Sequence, residues 1–407
     1  MARTPAKFPE GSRITDLISL GVVAKLFPRE TVARILEETG CQSQRQRKLP
    51  AHVVVYYVIA LCLFMHVSYV EVLSVLLEGF TSFGWKMKTI RKMGTGGISQ
   101  ARRRLGAQPL RRLYREVVRP IAVKRTRGAW YRKKWKLVSL DGSTLRLQDT
   151  VENETEFGRP GTSRGKSSFP QLRLVSLVEN GTHVLFGAQA GGCRQGEVAL
   201  AYKVLPHLKP GMLCLADRGF LGYELWKSAC STKADQLWRA KKKAVLPCDK
   251  RLPDGSYLSC LYPSTKARRQ GRDGIVVRVI EYRLSGVEDS QEIYRLVTTI
   301  LDFEKAPARE LAALYSERWE IETALGEMKI RLKEGKVVLR SKKPDLVLQE
   351  FYGLLMAHFA IRAIMHEAAL EGDVDPDEIS FISTVRVIRR KLPEFASFSP
   401  SGENSPA

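Results

Sequence analysis

Two apolar segments of β character, "WKLVSL" and "GMLCLA", each run straight into an aspartate, Asp141 and Asp217. An unbroken apolar strand belongs inside a sheet, whereas an ionised carboxylate cannot be buried there alone. Both acids are therefore expected where a strand leaves its sheet and a side chain reaches a cleft. The surrounding pattern narrows the architecture. "WKLVSLDGSTLRLQD" reads as strand, turn, strand, with Asp141-Gly142 as the turn pair. "QLRLVSLVENGTHVLFGAQAG" reads as two strands joined at Asn180-Gly181, a strong hairpin signal. Between them "EFGRPGTSRGKSSFP" is a Gly/Ser/Arg-rich loop.

A short helix, "GEVALAYKVLPHL", precedes the second aspartate; a helix from Gly222 to Cys230 and a strand from Gln236 to Ala240 follow it. A second β-rich stretch occupies about 241–302, ahead of a long helix from Pro307 to Gly335. Helices are also expected over Asp345 to Ala369 and Asp375 to Lys391, and over several segments between Ile14 and Gly79. The tail from Pro393 has little to bury and is expected to be disordered. The succession is compatible with an RNase H-like core and, on pattern alone, with several other α/β arrangements.

Charge points to the partner. The 66 Lys and Arg against 43 Asp and Glu give +23 and a pI near 9.8. Self-repulsion of that size calls for a polyanion or counterions, nucleic acid first and an anionic membrane second. The most apolar run, "VVVYYVIALCLFM", is shorter than the roughly 20 residues of a spanning helix, so it reads as a buried helix rather than a membrane segment. Seven cysteines without C-x-x-C spacing argue against structural zinc or a disulfide framework, and "MARTPAKFPEGSR" is no signal peptide, so a cytoplasmic protein is expected. From Lys86 to Arg119 the chain is strongly basic. Ser99 is placed to cap a short helix carrying Arg102, Arg103 and Arg104, read either as phosphate contacts or as a solvated face.

The long helix holds Tyr315, Arg318, Glu322 and Lys329 at spacings of three, four and seven, which return to nearly one face of an α-helix. Each acid has a plain reading: Asp141 in a turn, Asp217 as a helix cap, Glu322 in an i,i+4 pair with Arg318. Together, three converging carboxylates supply the hard oxygen ligands that two Mg²⁺ ions need, with positions open for phosphate and water. Glu322 would complete such a site, while Arg318 and Lys329 can neutralise nucleic-acid phosphates and Tyr315 can bond a phosphate or stack on a base. Trp319 and Ile321 read as core, and Asp149, Glu152, Glu154 and Glu156 as a solvated strand end.

Tyr315, Arg318, Glu322 and Lys329 match Y-x2-R-x3-E-x6-K without departure, and so the chain resembles DDE transposases of the insertion-sequence-four family. "DRGF" at Asp217, "SLDGSTL" around Asp141, "QRKLPAHVVVYYVIALCLFMHVSYVEVL" and "ISQARRRLG" extend the likeness over roughly residues 10–365. The resemblance implies an RNase H-like mixed sheet flanked by helices, interrupted by a β-rich insertion before the glutamate helix and preceded by an all-helical N-terminal domain. Its implied boundaries are 1–125 for a helical DNA-binding domain, 126–370 for the catalytic domain with its insertion at about 241–302, and 371–407 for a C-terminal helix and tail. It also implies Mg²⁺-dependent cutting at terminal inverted repeats, with Mn²⁺ as a substitute, and joining of the ends to target double-stranded DNA by a homodimer on paired ends. Asp141, Asp217 and Glu322 are then the catalytic metal ligands. A flipped base, in the same resemblance, needs an aromatic platform, with Tyr282 and Tyr294 as candidates; Arg164 and Lys166 are candidates for touching target or flanking DNA. Two other classes stay open: an RNase H-like nuclease or resolvase that cuts without joining, and a transposase-derived DNA-binding protein without catalysis.

Overall fold

The computed structural model describes residues 23, 25–45, 48–82, 93–162, 165–283, 293–332 and 338–394, with the side chains of 78–82, 162, 166 and 390–394 left aside. The expected tail beyond Glu394, Lys86 to Arg91 of the basic run, Arg164 and the Lys166 side chain lie outside that set.

Alternation of apolar residues on the segments after Ala129 builds twelve strands: β1 Trp130–Tyr131, β2 Trp135–Arg146, β3 Gly161–Thr162, β4 Gly165–Lys166, β5 Gln171–Glu179, β6 Val184–Gly192, β7 Met212–Ala216, β8 Asp235–Arg239, β9 Lys250–Arg251, β10 Tyr257–Leu261, β11 Ile275–Tyr282 and β12 Tyr294–Thr298. Ten form one mixed sheet in the order β6-β5-β2-β7-β8-β12-β11-β10-β9, with β1 beside β2. β2 pairs antiparallel with β5 and parallel with β7, and β7 pairs parallel with β8. Three antiparallel strands followed by two parallel to the first is the RNase H-like arrangement that the pattern left open. The β-rich stretch is no separate layer: β12 adds antiparallel to β8, and β11, β10 and β9 continue the same sheet.

β2 is a single strand of twelve residues, against the expected strand-turn-strand. Gly142 opposes Val175 and Leu145 opposes Leu172, so β5 carries the chain straight through Asp141-Gly142. The Asn180-Gly181 hairpin forms as read, with Gly181 at φ +79° and the β5–β6 loop pressed on the Arg127 carbonyl.

Of the N-terminal helices, Ala51–Leu63, Thr95–Leu105 and Gln108–Val117 pack on the long helix Pro344–Gly372, and Arg29–Glu38 and Tyr69–Ser82 pack on them. Ser99 lies inside Thr95–Leu105 and not at its cap, which is Gly94. The helix Ala51–Leu63 is buried from Val53 onwards, and Gly353 lets it approach: a β-carbon there would lie 2.9 Å from Val58. One hydrophobic cluster runs from these helices through Phe351, Leu355 and Phe359 to the sheet residues Val138, Leu174 and Val178. Among the described residues no helix is long and apolar enough to cross a membrane.

Candidate active site

β7 pairs with β2 as far as Leu140 opposite Ala216 and then stops. The next residue on each strand is an aspartate. In-register residues on parallel neighbours point to the same side of a sheet, so Asp141 and Asp217 stand side by side on one face. Asp217 is at a strand end as expected, whereas Asp141 is interior to β2 and gains its opening because β7 ends beside it. Gly142 is required for space and not for a turn. A β-carbon at Gly142 would meet the Glu197 carboxyl carbon at 2.7 Å, placing a fourth carboxylate against this strand.

The glutamate helix departs from α pitch in two places, where a uniform α-helix was expected. It runs as α over Ala308–Leu314, 3₁₀ over Tyr315–Arg318, α over Trp319–Gly326 and π over Glu327–Arg331. The π turn is closed by Leu332 N–H donating to the Glu327 carbonyl at 2.8 Å. A tight turn followed by a wide one leaves the signature residues over β2 and β7. The Tyr315 hydroxyl donates to the Ala216 carbonyl at 3.1 Å, gripping the residue that precedes Asp217. Arg318 spans two acids, donating from Nη1 to Asp141 Oδ2 and from Nη2 to Glu322 Oε1, each at 3.1 Å. Lys329 Nζ donates to Ser143 Oγ at 2.7 Å, two residues along β2 from Asp141.

The electrostatics are those of an acid-rich cleft. Burial pushes Asp141 above the usual carboxylate range, with Asp217 and Glu197 adding to it, against the Gly142 N–H at 2.7 Å and Arg318. Burial, with Arg146 nearby, holds Lys329 below the usual lysine range. Burial likewise raises the Tyr315 phenol, which stays protonated and able to donate. The donor set Asp141, Asp217 and Glu322 is all carboxylate oxygen, the chemistry that suits Mg²⁺ or Mn²⁺ rather than a soft metal.

Several expected contacts land elsewhere. Arg102 is buried and bonded to Gln349 Oε1 (3.1 Å), Ser341 Oγ (3.1 Å) and the Leu346 carbonyl (3.0 Å), so it ties two helices where an exposed side chain was expected. Arg103 and Arg104, on the other side of the same helix, are exposed. Tyr315 is buried and its hydroxyl donates to the backbone at the end of β7. Trp319 was read as core but is 61 % exposed, with the Arg318 guanidinium 5.3 Å from its ring; Ile321 is buried as read. Tyr282 and Tyr294 oppose each other across β11 and β12 with ring centroids 5.6 Å apart, and Arg239 covers Tyr294. The acidic run forms a capped helix, Val151–Phe157, whose acids pair with Arg159 and Lys343.

Residues 17–115 match the family described as "Insertion element 4 transposase N-terminal", and residues 133–360 the one described as "Transposase DDE domain". The chain belongs to the insertion-element-4 family of DDE transposases. "Transposase InsG for insertion sequence element IS4" of Escherichia coli (strain K12) is 28% identical over 386 residues, covering 91% of this chain and 82% of InsG. A solved structure, the piggyBac transposase synaptic complex with hairpin DNA, aligns at a TM-score of 0.48 and 11% identity over 94% of this chain and 82% of that one. As a member of this family the protein is a DNA transposase, an enzyme that acts on DNA through a domain type that uses divalent cations. Within the DDE domain, Glu197 belongs to no motif, and its local signal is an acid in the first turn of the short helix Glu197–Val204.

Proposed function

We propose that Asp141, Asp217 and Glu322 are the catalytic triad and hold two Mg²⁺ ions, with Mn²⁺ as a substitute. The observation that carries this reading is the register of β2 and β7, which brings the two aspartates together, with Arg318 joining Asp141 to Glu322. Bound there, the cations would supply Lewis-acid stabilisation to the attacking and leaving oxygens of an in-line phosphoryl transfer. The chain's own residues prepare the site. Tyr315 fixes the end of β7, and hence Asp217, through the Ala216 carbonyl. Arg318 uses two of its five N–H donors on the acids, leaving others to meet a phosphate oxygen. Lys329, half-buried against Ser143, adds a second cation along the same groove.

The reaction is cutting at the terminal inverted repeats of an insertion sequence and joining of the freed ends to target DNA, by a cut-and-paste route. A homodimer on paired ends carries it out. The helical part, 1–125, contacts DNA through Arg103 and Arg104, the part 126–370 does the chemistry, and 371–407 adds a C-terminal helix. A labelled element end incubated with the protein and Mg²⁺ should give cleaved and joined products. Asp141→Ala, Asp217→Ala and Glu322→Ala should each abolish both while retaining end binding. Cleavage without joining would mark a nuclease instead, and near wild-type activity in any one variant would refute the triad.

A further inference from the structure

The face of the glutamate helix turned away from the aspartates carries a second group of polar side chains. His183, in the β5–β6 loop, is 2 % exposed, and among the described residues neither of its ring nitrogens has a hydrogen-bond partner. A buried imidazole left this way carries its full desolvation cost. Nε2 faces Asp377 Oδ1 at 3.4 Å and Glu320 Oε2 at 3.7 Å, and Nδ1 faces Glu327 Oε1 at 3.5 Å. These separations exceed a hydrogen bond. Ligand atoms placed tetrahedrally about 2.0–2.1 Å from Zn²⁺ stand about 3.4 Å from one another. The three facing groups, from His183, Glu320 and Asp377, lie within 4.8 Å of each other.

The surroundings hold these groups in place. The Gly181 N–H donates to Glu320 Oε2, and Arg362 Nη2 donates to Asp377 Oδ1 at 3.2 Å. Behind the imidazole, Glu327 is itself held by His358 Nε2 at 3.1 Å. Glu327 stands 3.5 Å from Nδ1, and closing that gap into a hydrogen bond would set the tautomer that leaves the Nε2 lone pair free for a metal. Three carboxylates, Glu320, Glu327 and Asp377, face the imidazole, and Arg362 faces Glu327 and Asp377. Asp377 is 43 % exposed on its side chain, which gives an ion a way in.

We propose that His183 Nε2, Glu320 and Asp377 form a second divalent-cation site of the Zn²⁺ class, with Glu327 orienting the imidazole. Its ligands come from the β5–β6 loop, the glutamate helix and the segment Pro376–Glu378, so the cation pins the helix that carries Glu322 to the sheet.

The test uses full-length chelator-treated protein in the Asp141→Asn/Asp217→Asn/Glu322→Gln background, which removes the other carboxylate site. Titration with Co²⁺ should give visible d–d absorption saturating at one equivalent, abolished by Zn²⁺, and Zn²⁺ should raise Tm. His183→Gln and the more exposed Asp377→Asn should each weaken binding at least tenfold, with circular dichroism unchanged in Asp377→Asn. If His183→Gln does not fold, Asp377→Asn alone decides. No Co²⁺ absorption in the background protein would overturn the site and leave protons balancing the cluster. Absorption that survives in Asp377→Asn at full affinity would mean an adventitious ion only.

Discussion

Arg102 gives the sharpest test of what the basic helix Thr95–Leu105 does. Its guanidinium makes three bonds to neutral groups on the Ser341–Gln349 segment, and Gln349 Nε2 returns bonds to the Arg102 and Gly106 carbonyls. Hydrogen bonds from a charged donor contribute about 1.5–3 kcal/mol each in isolation. Part of that is offset by the desolvation of a buried guanidinium, and Ser341 keeps its bond to Glu350. A net loss of about 3–5 kcal/mol is therefore expected for Arg102→Ala, in line with breaking a buried polar network. For a chain of 407 residues, an unfolding entropy of about 2 cal/mol/K per residue turns this into a fall in Tm of about 4–6 °C. Arg103→Ala and Arg104→Ala should leave Tm unchanged. In DNA titrations across a salt series the pattern should invert. Each exposed arginine that meets a phosphate should reduce the slope of log K against log salt by about 0.9. Arg102→Ala, measured below its Tm, should keep the wild-type slope. A wild-type Tm combined with a reduced slope in Arg102→Ala would refute the assignment of this residue to packing.

Four further outcomes follow from the same geometry. Tyr315→Phe should lower stability by about 1 kcal/mol in thermal melts, through the lost bond to Ala216, and should slow cleavage more than it weakens end binding. Gly353→Ala should cost about 1–3 kcal/mol by thermal melting, because the new methyl meets Val58 at 2.9 Å. Because burial and neighbouring acids raise Asp141, ionising it opposes folding as pH climbs through the raised value. In chelator, Asp141→Asn should therefore melt higher than wild type at neutral pH, and the difference should vanish below the ordinary aspartate range. Lys329→Met should remove the Ser143 bond and reduce the salt slope of end binding, with circular dichroism unchanged.

Much of this site was legible because the residues that build it speak locally. Apolar runs ending in Asp141 and Asp217 marked the two acids that the β2–β7 register sets side by side, and Asn180-Gly181 marked the hairpin. The failures share a cause, which is that a neighbour distant in sequence overrode the local signal. Asp141-Gly142 is a good turn pair, yet β5 supplies partners on both sides of it, and the glycine answers to Glu197 instead. Arg102 carries the composition of a DNA contact, but Gln349 and Ser341 lie beyond any helical periodicity. Trp319 was placed inside by its apolar character alone, and only the packing of Ile321 and Leu325 decides which face of the helix is buried. The changes of pitch at Tyr315 and Glu327 leave no mark in residue spacing, so one continuous helix was the natural reading.

The alignment of Leu140 with Ala216 has a consequence for how such a chain can change. The distance between the two aspartates is set by one hydrogen-bond ladder and not by the length of chain that joins them. Loops between β2 and β7 can lengthen, shorten or acquire small elements such as β3 and β4 without moving either carboxylate. A single residue inserted within Trp135–Leu140, by contrast, would turn Asp141 to the opposite face of the sheet. Insertions should thus be tolerated in the loops of the connecting chain and be lethal to activity within the Trp135–Leu140 part of β2.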